Sequence, residues 1–300
     1  MRSALIDLGT NSVRLHIFEQ NGKGELRRIF QRKDMIQLGV GLFETGDFTK
    51  RAREAAVSVF KEFKDNLKSF EVSEVHAVAT CAMREAKSGD KLRDEIEKKS
   101  GIPLEIISGK KEAKLIAQGI IEALGPFEKT RLLVDIGGGS TELSFVKGKE
   151  ILFATSTPLG AVRCQEVTLK DTPPSKKAEK ELRAIVRSTV DNYLTEDVRR
   201  KAKIIMGSSG SIRAIVRLIR NGDSTESICT SEELSEFAKS LRGKDVKDLL
   251  KHPTLEPKRA KIIFSATVIL DEIAQHLGIK AVHAVPLGLK DGLIARLRDS

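Results

Sequence analysis

Asp135 closes an apolar run, Leu132-Leu133-Val134, and is followed by Ile136, Gly137, Gly138, Gly139, two hydroxyl residues, Ser140 and Thr141, and a second acid, Glu142. Glycine has no Cβ, so the chain can turn sharply there and come close to a ligand. Successive backbone N–H groups in such a turn form a concave anion-binding nest. An aspartate at the strand end can hold a divalent cation or a water beside that anion. Phosphate chemistry needs this combination of residue types. A glycine-rich hairpin with a solvated aspartate explains one such stretch equally well.

The same order occurs again near the N-terminus. Ala4-Leu5-Ile6 leads to Asp7, then Leu8, Gly9, Thr10, Asn11 and Ser12, with a β-rich run from Val13 to Phe18. The two aspartates stand 128 positions apart. A third turn, Gly207-Ser208-Ser209-Gly210-Ser211, follows the apolar run Ile204 to Met206 and enters a helix-like segment, without an aspartate. Two strand–Asp–Gly–hairpin units indicate a duplicated domain with a phosphate site between its halves.

These residues need elements to position them. Thr49 is expected to cap a helix reaching about Phe70, with Ala52, Ala56, Val59, Phe60, Phe63 and Leu67 on its buried side. Val75 to Thr80 reads as a buried strand, and Ser108-Gly109 leads into a helix from Lys111 to about Leu124. Further helices are expected over 176–194, over Arg259 to Leu277 and over Leu289 to Leu297, with a capping box at Thr230 to Glu233. The expected division is 1–120 for the first domain, joined by a C-terminal helix 288–300, and 121–287 for the second.

Three hundred residues suit two medium domains. No apolar tract approaches the roughly 18 to 20 residues of a membrane span, and a strand beginning almost at once leaves no room for a signal peptide. Cys81, Cys164 and Cys229 are far apart, which makes a reducing, cytoplasmic setting the default. The net charge of +10 favours anionic partners, although much of it falls on helical segments that read as solvated faces. With one Tyr and no Trp, the chain is poorly equipped to stack nucleic-acid bases. His16, His76, His252, His276 and His283 show no metal-ligand spacing and read as ordinary surface or core residues.

Read together, the segments resemble the exopolyphosphatase and guanosine pentaphosphate phosphohydrolase family over nearly the whole chain. Asp7 to Leu15 is similar to its opening motif, Ala79 to Ala86 to its second and Ile107 to Ala113 to its third. Asp135 to Glu142 is the most specific, and Pro158 to Arg163 and Gly207 to Ser211 add two more. The resemblance implies an α/β, actin-like (ribonuclease H-like) fold of two domains about a cleft. It also implies Mg²⁺-dependent hydrolysis of a terminal phosphoryl group, and it is compatible with a homodimer.

By the same resemblance Glu112 is the catalytic acid that handles the attacking water, and Asp135 and Glu142 are acids tied to activity. Asp7 is the counterpart of Asp135, and Mg²⁺ is expected on the Asp7 and Asp135 side. Lys111 stands where the family often has a second acid, so it is expected to contact phosphate or to lower the pKa of Glu112. The expected phosphate cradle comprises Gly9, Thr10, Asn11, Ser12, Gly137, Gly138, Gly139, Ser140, Gly207, Ser208 and Ser211. Arg84 either offers a forked donor to phosphate oxygens or forms a surface salt bridge with Glu85 or another acid. The expected substrate is inorganic polyphosphate, with guanosine pentaphosphate the alternative. An actin-like kinase and a nucleotide-gated binding protein share the two Asp–Gly hairpins and remain as further readings.

Overall fold

The computed structural model describes residues 1–22, 24–199, 201–223 and 225–298, with only the backbone of Arg296 and Arg298. Asp299 and Ser300, the expected end of the last helix, lie outside the described residues. The strands are β1 (Arg2–Leu8), β2 (Val13–Gln20), β3 (Leu26–Asp34), β4 (Glu74–Ala79), β5 (Leu104–Ile106), β6 (Phe127–Ile136), β7 (Thr141–Gly148), β8 (Glu150–Thr157), β9 (Ile204–Gly207), β10 (Ile228–Thr230) and β11 (Ala281–Ala284).

They form two mixed sheets of one design. The first has the order β3-β2-β1-β4-β5; the second runs β8-β7-β6-β9-β11, with β10 added at the edge. In each, the opening three strands form an antiparallel meander, and the fourth joins the first in parallel. This repeated sheet is the duplicated actin-like, ribonuclease H-like fold.

Side chains alternate across a strand, and that alternation aims the acids. Ala4, Ile6 and Leu8 of β1 enter a core with Phe60 and Phe63 from the helix Lys50–Ser69, which Thr49 caps by accepting from the Ala52 N–H at 3.2 Å. Leu132, Val134 and Ile136 of β6 enter the core of the second sheet. The opposite faces, bearing Leu5 and Leu133, meet in a third cluster between the sheets, built on Ile116, Ile120 and Leu293. Asp7 shares the parity of Leu5, and Asp135 that of Leu133. The two aspartates therefore sit on the faces that the halves turn toward each other.

The helix Gly109–Leu124 fills the space between those faces and starts from Ser108, whose hydroxyl accepts from the Lys111 N–H at 3.2 Å. The helix Leu289–Arg298 lies against it with no room for a methyl group. A Cβ on Gly292 would fall 1.9 Å from the Leu115 carbonyl oxygen, and one on Gly119 would fall 2.4 Å from the Gly292 nitrogen.

Two expectations needed correction. The helix expected from Arg259 to Leu277 is two, Pro257–Ala260 and Ile263–His276, because Ile262 leaves helical dihedrals (φ −118°, ψ 0°). The strand β8, unanticipated, extends the hairpin beyond β7. The capping box at Thr230 and Glu233 is present.

Candidate active site

The duplication is visible atom by atom in the two hairpins. Asp7 lies opposite Arg14 across β1 and β2, and Asp135 lies opposite Glu142 across β6 and β7. In the first turn the Gly9 N–H donates to the Ser12 carbonyl at 3.0 Å; in the second the Gly137 N–H donates to the Ser140 carbonyl at 2.9 Å. The third turn docks on the second hairpin. There the Ser208 N–H donates to the Val134 carbonyl at 2.9 Å, and the Ser208 hydroxyl donates to Asp135 Oδ2 at 2.5 Å.

The turns interlock closely. A Cβ on Gly138 would meet Thr10 at 2.9 Å, and one on Gly139 would meet Cys81 Sγ at 2.6 Å. Glycine leaves room here for side chains of the first half, Thr10, Phe43 and Cys81, to press against the turn of the second. Around this junction lies a cavity of about 650 Å³. Its lining includes Asp7, Gly9, Thr10, Asn11, Ser12, Glu112, Asp135, Gly137, Gly138, Ser140, Ser208 and Ser211. Arg14, Arg28, Arg32, Lys33, Arg213, Arg259 and Lys290 supply seven cations to its wall, against three carboxylates.

Four carboxylates crowd this region, and burial dominates their titration. Glu112 is 7% exposed; its Oε2 accepts from Arg84 Nη1 at 3.1 Å, and the same Nη1 donates to the Ile107 carbonyl at 2.8 Å. Burial, then the charge of Glu142, pushes the Glu112 carboxyl well above the usual range, while Arg84 opposes the shift. Glu142 is 3% exposed, and its Oε1 accepts from Ser140 at 2.8 Å and from Ser156 at 2.7 Å. Burial first and the Asp135 charge second hold it up to about 7. Asp7 and Asp135 are both raised by burial, Asp7 against the opposing pull of Arg14, whose Nη1 donates to Asp7 Oδ2 at 3.1 Å. Burial thus favours the protonated form of all four, and a bound cation would oppose it.

A model of the Ppx/GppA phosphatase family matches residues 17–300. The chain belongs to that family. It is 28% identical over 306 residues to exopolyphosphatase 1 of Mycobacterium leprae, covering 100% of this chain and 90% of that protein. Among solved structures, a Ppx/GppA family member from Aquifex aeolicus superposes with a TM-score of 0.81 at 26% identity, over 100% of this chain and 99% of that one. An exopolyphosphatase from Cytophaga hutchinsonii shares the fold with a TM-score of 0.89 at 23% identity, over 100% and 98% of the two chains.

Within this Ppx/GppA chain, not every residue expected in the phosphate cradle faces the main cavity. Gly139 is spent on the contact with Cys81 and Thr10. Gly207 makes room for Ile212, whose Cγ2 would lie 2.4 Å from a Cβ. Arg84 neither pairs with Glu85, which is taken by Arg163, nor lines the main cavity. It is tied to Glu112 and lines a smaller cavity of about 300 Å³ with Lys110, Ser140 and Ser156. Glu142 stands behind Ser140, outside the lining of the main cavity. Lys111 reaches neither phosphate site nor Glu112; it pairs with Glu105, and the cation beside Glu112 is Arg84.

The sequence reading missed Arg213, Arg259 and Lys290. Cations spaced along amphipathic helices look the same whether they face water or a cleft. Their only signal is position: Arg213 and Lys290 follow glycine turns that enter the cavity, and Arg259 lies just before the break at Ile262.

For a divalent ion the donor set is small. Among the described residues no three His, Cys, Asp or Glu side chains converge into a ready cage. Mg²⁺ does not need one, because it keeps waters and takes one or two carboxylates plus substrate phosphates. Asp7 and Asp135 fit that role. Each uses Oδ2 on a protein donor, leaving Oδ1 without one among the described residues.

Proposed function

We propose that the chain hydrolyses the terminal phosphoanhydride bond of inorganic polyphosphate and releases orthophosphate. The observation that carries this reading is the convergence of both Asp–Gly hairpins and Glu112 on one cavity whose wall is cationic and holds no Phe, Tyr or Trp. That lining suits a repeated anion better than a nucleobase. The name borne by the Mycobacterium leprae relative supports the same substrate.

Phosphoryl transfer asks the protein mostly for positioning and charge stabilisation. The remaining backbone N–H groups of the glycine turns, with the hydroxyls of Thr10, Ser12 and Ser211, bind the terminal phosphoryl oxygens, while the Ser140 and Ser208 hydroxyls are given to Glu142 and Asp135. Glu112 takes the proton of the attacking water; a carboxyl raised well above its ordinary range is the better base. Arg84 holds that carboxylate by Nη1 and keeps part of its charge in place. Asp7 and Asp135 would hold Mg²⁺, which would supply neutralisation of charge on the transferred group.

The test is Mg²⁺-dependent phosphate release from short and long polyphosphate and from guanosine pentaphosphate, with Glu112→Gln measured alongside. Release from polyphosphate is expected to fall by at least about 10²-fold in the variant, within the usual range for removing a general base. Release from the nucleotide alone would move the substrate assignment. Full activity in Glu112→Gln would remove the base.

A further inference from the structure

His16 lies on the cavity wall with neither ring nitrogen satisfied. It is 7% exposed, and neither Nδ1 nor Nε2 has a hydrogen-bond partner among the described residues. A buried donor or acceptor left unpaired carries its full desolvation cost. Such an orphan on a cavity wall calls for a partner from within the cavity, a water or a ligand.

Its position follows from the sheet. Asp7, Arg14 and Lys33 form one row across β1, β2 and β3; Leu5, His16 and Gln31 form the next row. Two residues along a strand return to the same face, so His16 stands roughly 7 Å from Arg14 along β2, on the side where Asp7 lies. Beyond a bulge, Phe18 pairs with Arg28 in a third row. Arg28, Gln31, His16 and Lys290 all line the same cavity as Glu112. Arg28 has no carboxylate partner among the described residues, whereas Lys290 pairs with Asp291 at 2.6 Å.

We propose that His16, Gln31, Arg28 and Lys290 form a distal phosphate subsite, one sheet row beyond the reaction centre, and that a phosphoryl oxygen farther along the substrate chain is the missing partner of the imidazole. This rests on the polyphosphate reading above and adds to it a determinant of chain length. Burial, followed by the charges of Lys290, Arg28 and Arg14, pushes the imidazole down to about 4, so the ring is neutral before substrate arrives. A neutral imidazole carries one N–H donor. It adds direction where Arg28 and Lys290 add charge. A hydrogen bond to a charged group is stronger than one between neutral groups, enough to change affinity about tenfold between a chain that reaches this row and one that does not.

The experiment compares KM for pyrophosphate and for a long polyphosphate in the parent, His16→Phe and His16→Asn. His16→Phe fills the space without a donor; His16→Asn returns one. The ratio of the long-chain KM to the pyrophosphate KM is expected to rise about tenfold in His16→Phe and to recover most of the way in His16→Asn. An unchanged ratio, or an equal rise for both substrates, overturns the subsite. If the parent hydrolyses no polyphosphate, the function proposed above fails by itself. Calorimetric binding of the same two chains to the same proteins then still reads the subsite, and equal long-chain affinity in parent and His16→Phe rejects it.

Discussion

Arg14 and Glu142 occupy the same place in the two hairpins, each opposite the strand-end aspartate. The first half thus offers its aspartate a cation; the second half offers another acid. That asymmetry sets a second carboxylate beside Asp135, where burial makes its charge expensive. Glu142 has a carboxyl held up to about 7 from an ordinary 4.5. Between those values the folded chain keeps a proton that the unfolded chain has released, so stability falls as pH rises through this window and the full cost stands above it. Glu142→Gln removes the ionisation and keeps an acceptor for Ser140 and Ser156. In metal-free buffer the variant is expected to be more stable than the parent at pH 8, on the order of 2–3 kcal/mol, with the difference closing toward pH 5. Thermal melts at the two pH values check this, and a difference independent of pH counts against it. At this scale the acids were legible in the sequence because their spacing in the motifs names them. Their partners were not. Arg84 meets Glu112 across 28 positions of chain, and Ser156 reaches Glu142 from a strand that periodicity did not reveal.

Among the elements, the helix Gly109–Leu124 matters most, since it carries Glu112 in its opening turns and touches both sheets. Its far side is fixed by the helix Leu289–Arg298 through Gly119 and Gly292. A methyl group at Gly292 meets the Leu115 backbone, which cannot rotate aside as a side chain would. Gly292→Ala should therefore separate the two helices and destabilise the fold by about 1–3 kcal/mol or more, the usual cost of overpacking. Because Leu115 is three residues from Glu112 on the same helix, kcat should fall as well. A melt and a rate measured on the same preparation test both; an unchanged Tm would show that the helices can part without cost. The sequence located this helix and its Ser108 start, because a hydroxyl cap before an amphipathic run is a local signal. It could not reveal the glycine contact between helices. It also joined the segments around Ile262 into one helix, since apolar spacing continues through a break that only the dihedrals disclose.

The whole molecule was foreshadowed by the two Asp–Gly turns 128 positions apart, since a duplicated strand order repeats its motif at the same place in each half. What the motifs could not carry is the charge that faces the cleft from both halves. Arg213 enters the cavity from the helix Gly210–Ile219 and has no carboxylate within ion-pair reach among the described residues. Desolvation, then the charges of Arg14, Arg259 and Arg217, holds its guanidinium below the ordinary value, with Asp135 pulling the other way. Arg14 comes from the first half and the other three from the second, so without an anion the halves repel at this point. A ligand that binds only the folded state stabilises it in proportion to its affinity, and a polyanion here also relieves that repulsion. Long polyphosphate should therefore raise the Tm of the parent, with the gain shrinking as salt screens the charges. Arg213→Ala should melt above the parent without ligand and gain less from polyphosphate. A variant that gains as much as the parent would show that Arg213 neither meets the chain nor strains the empty cleft.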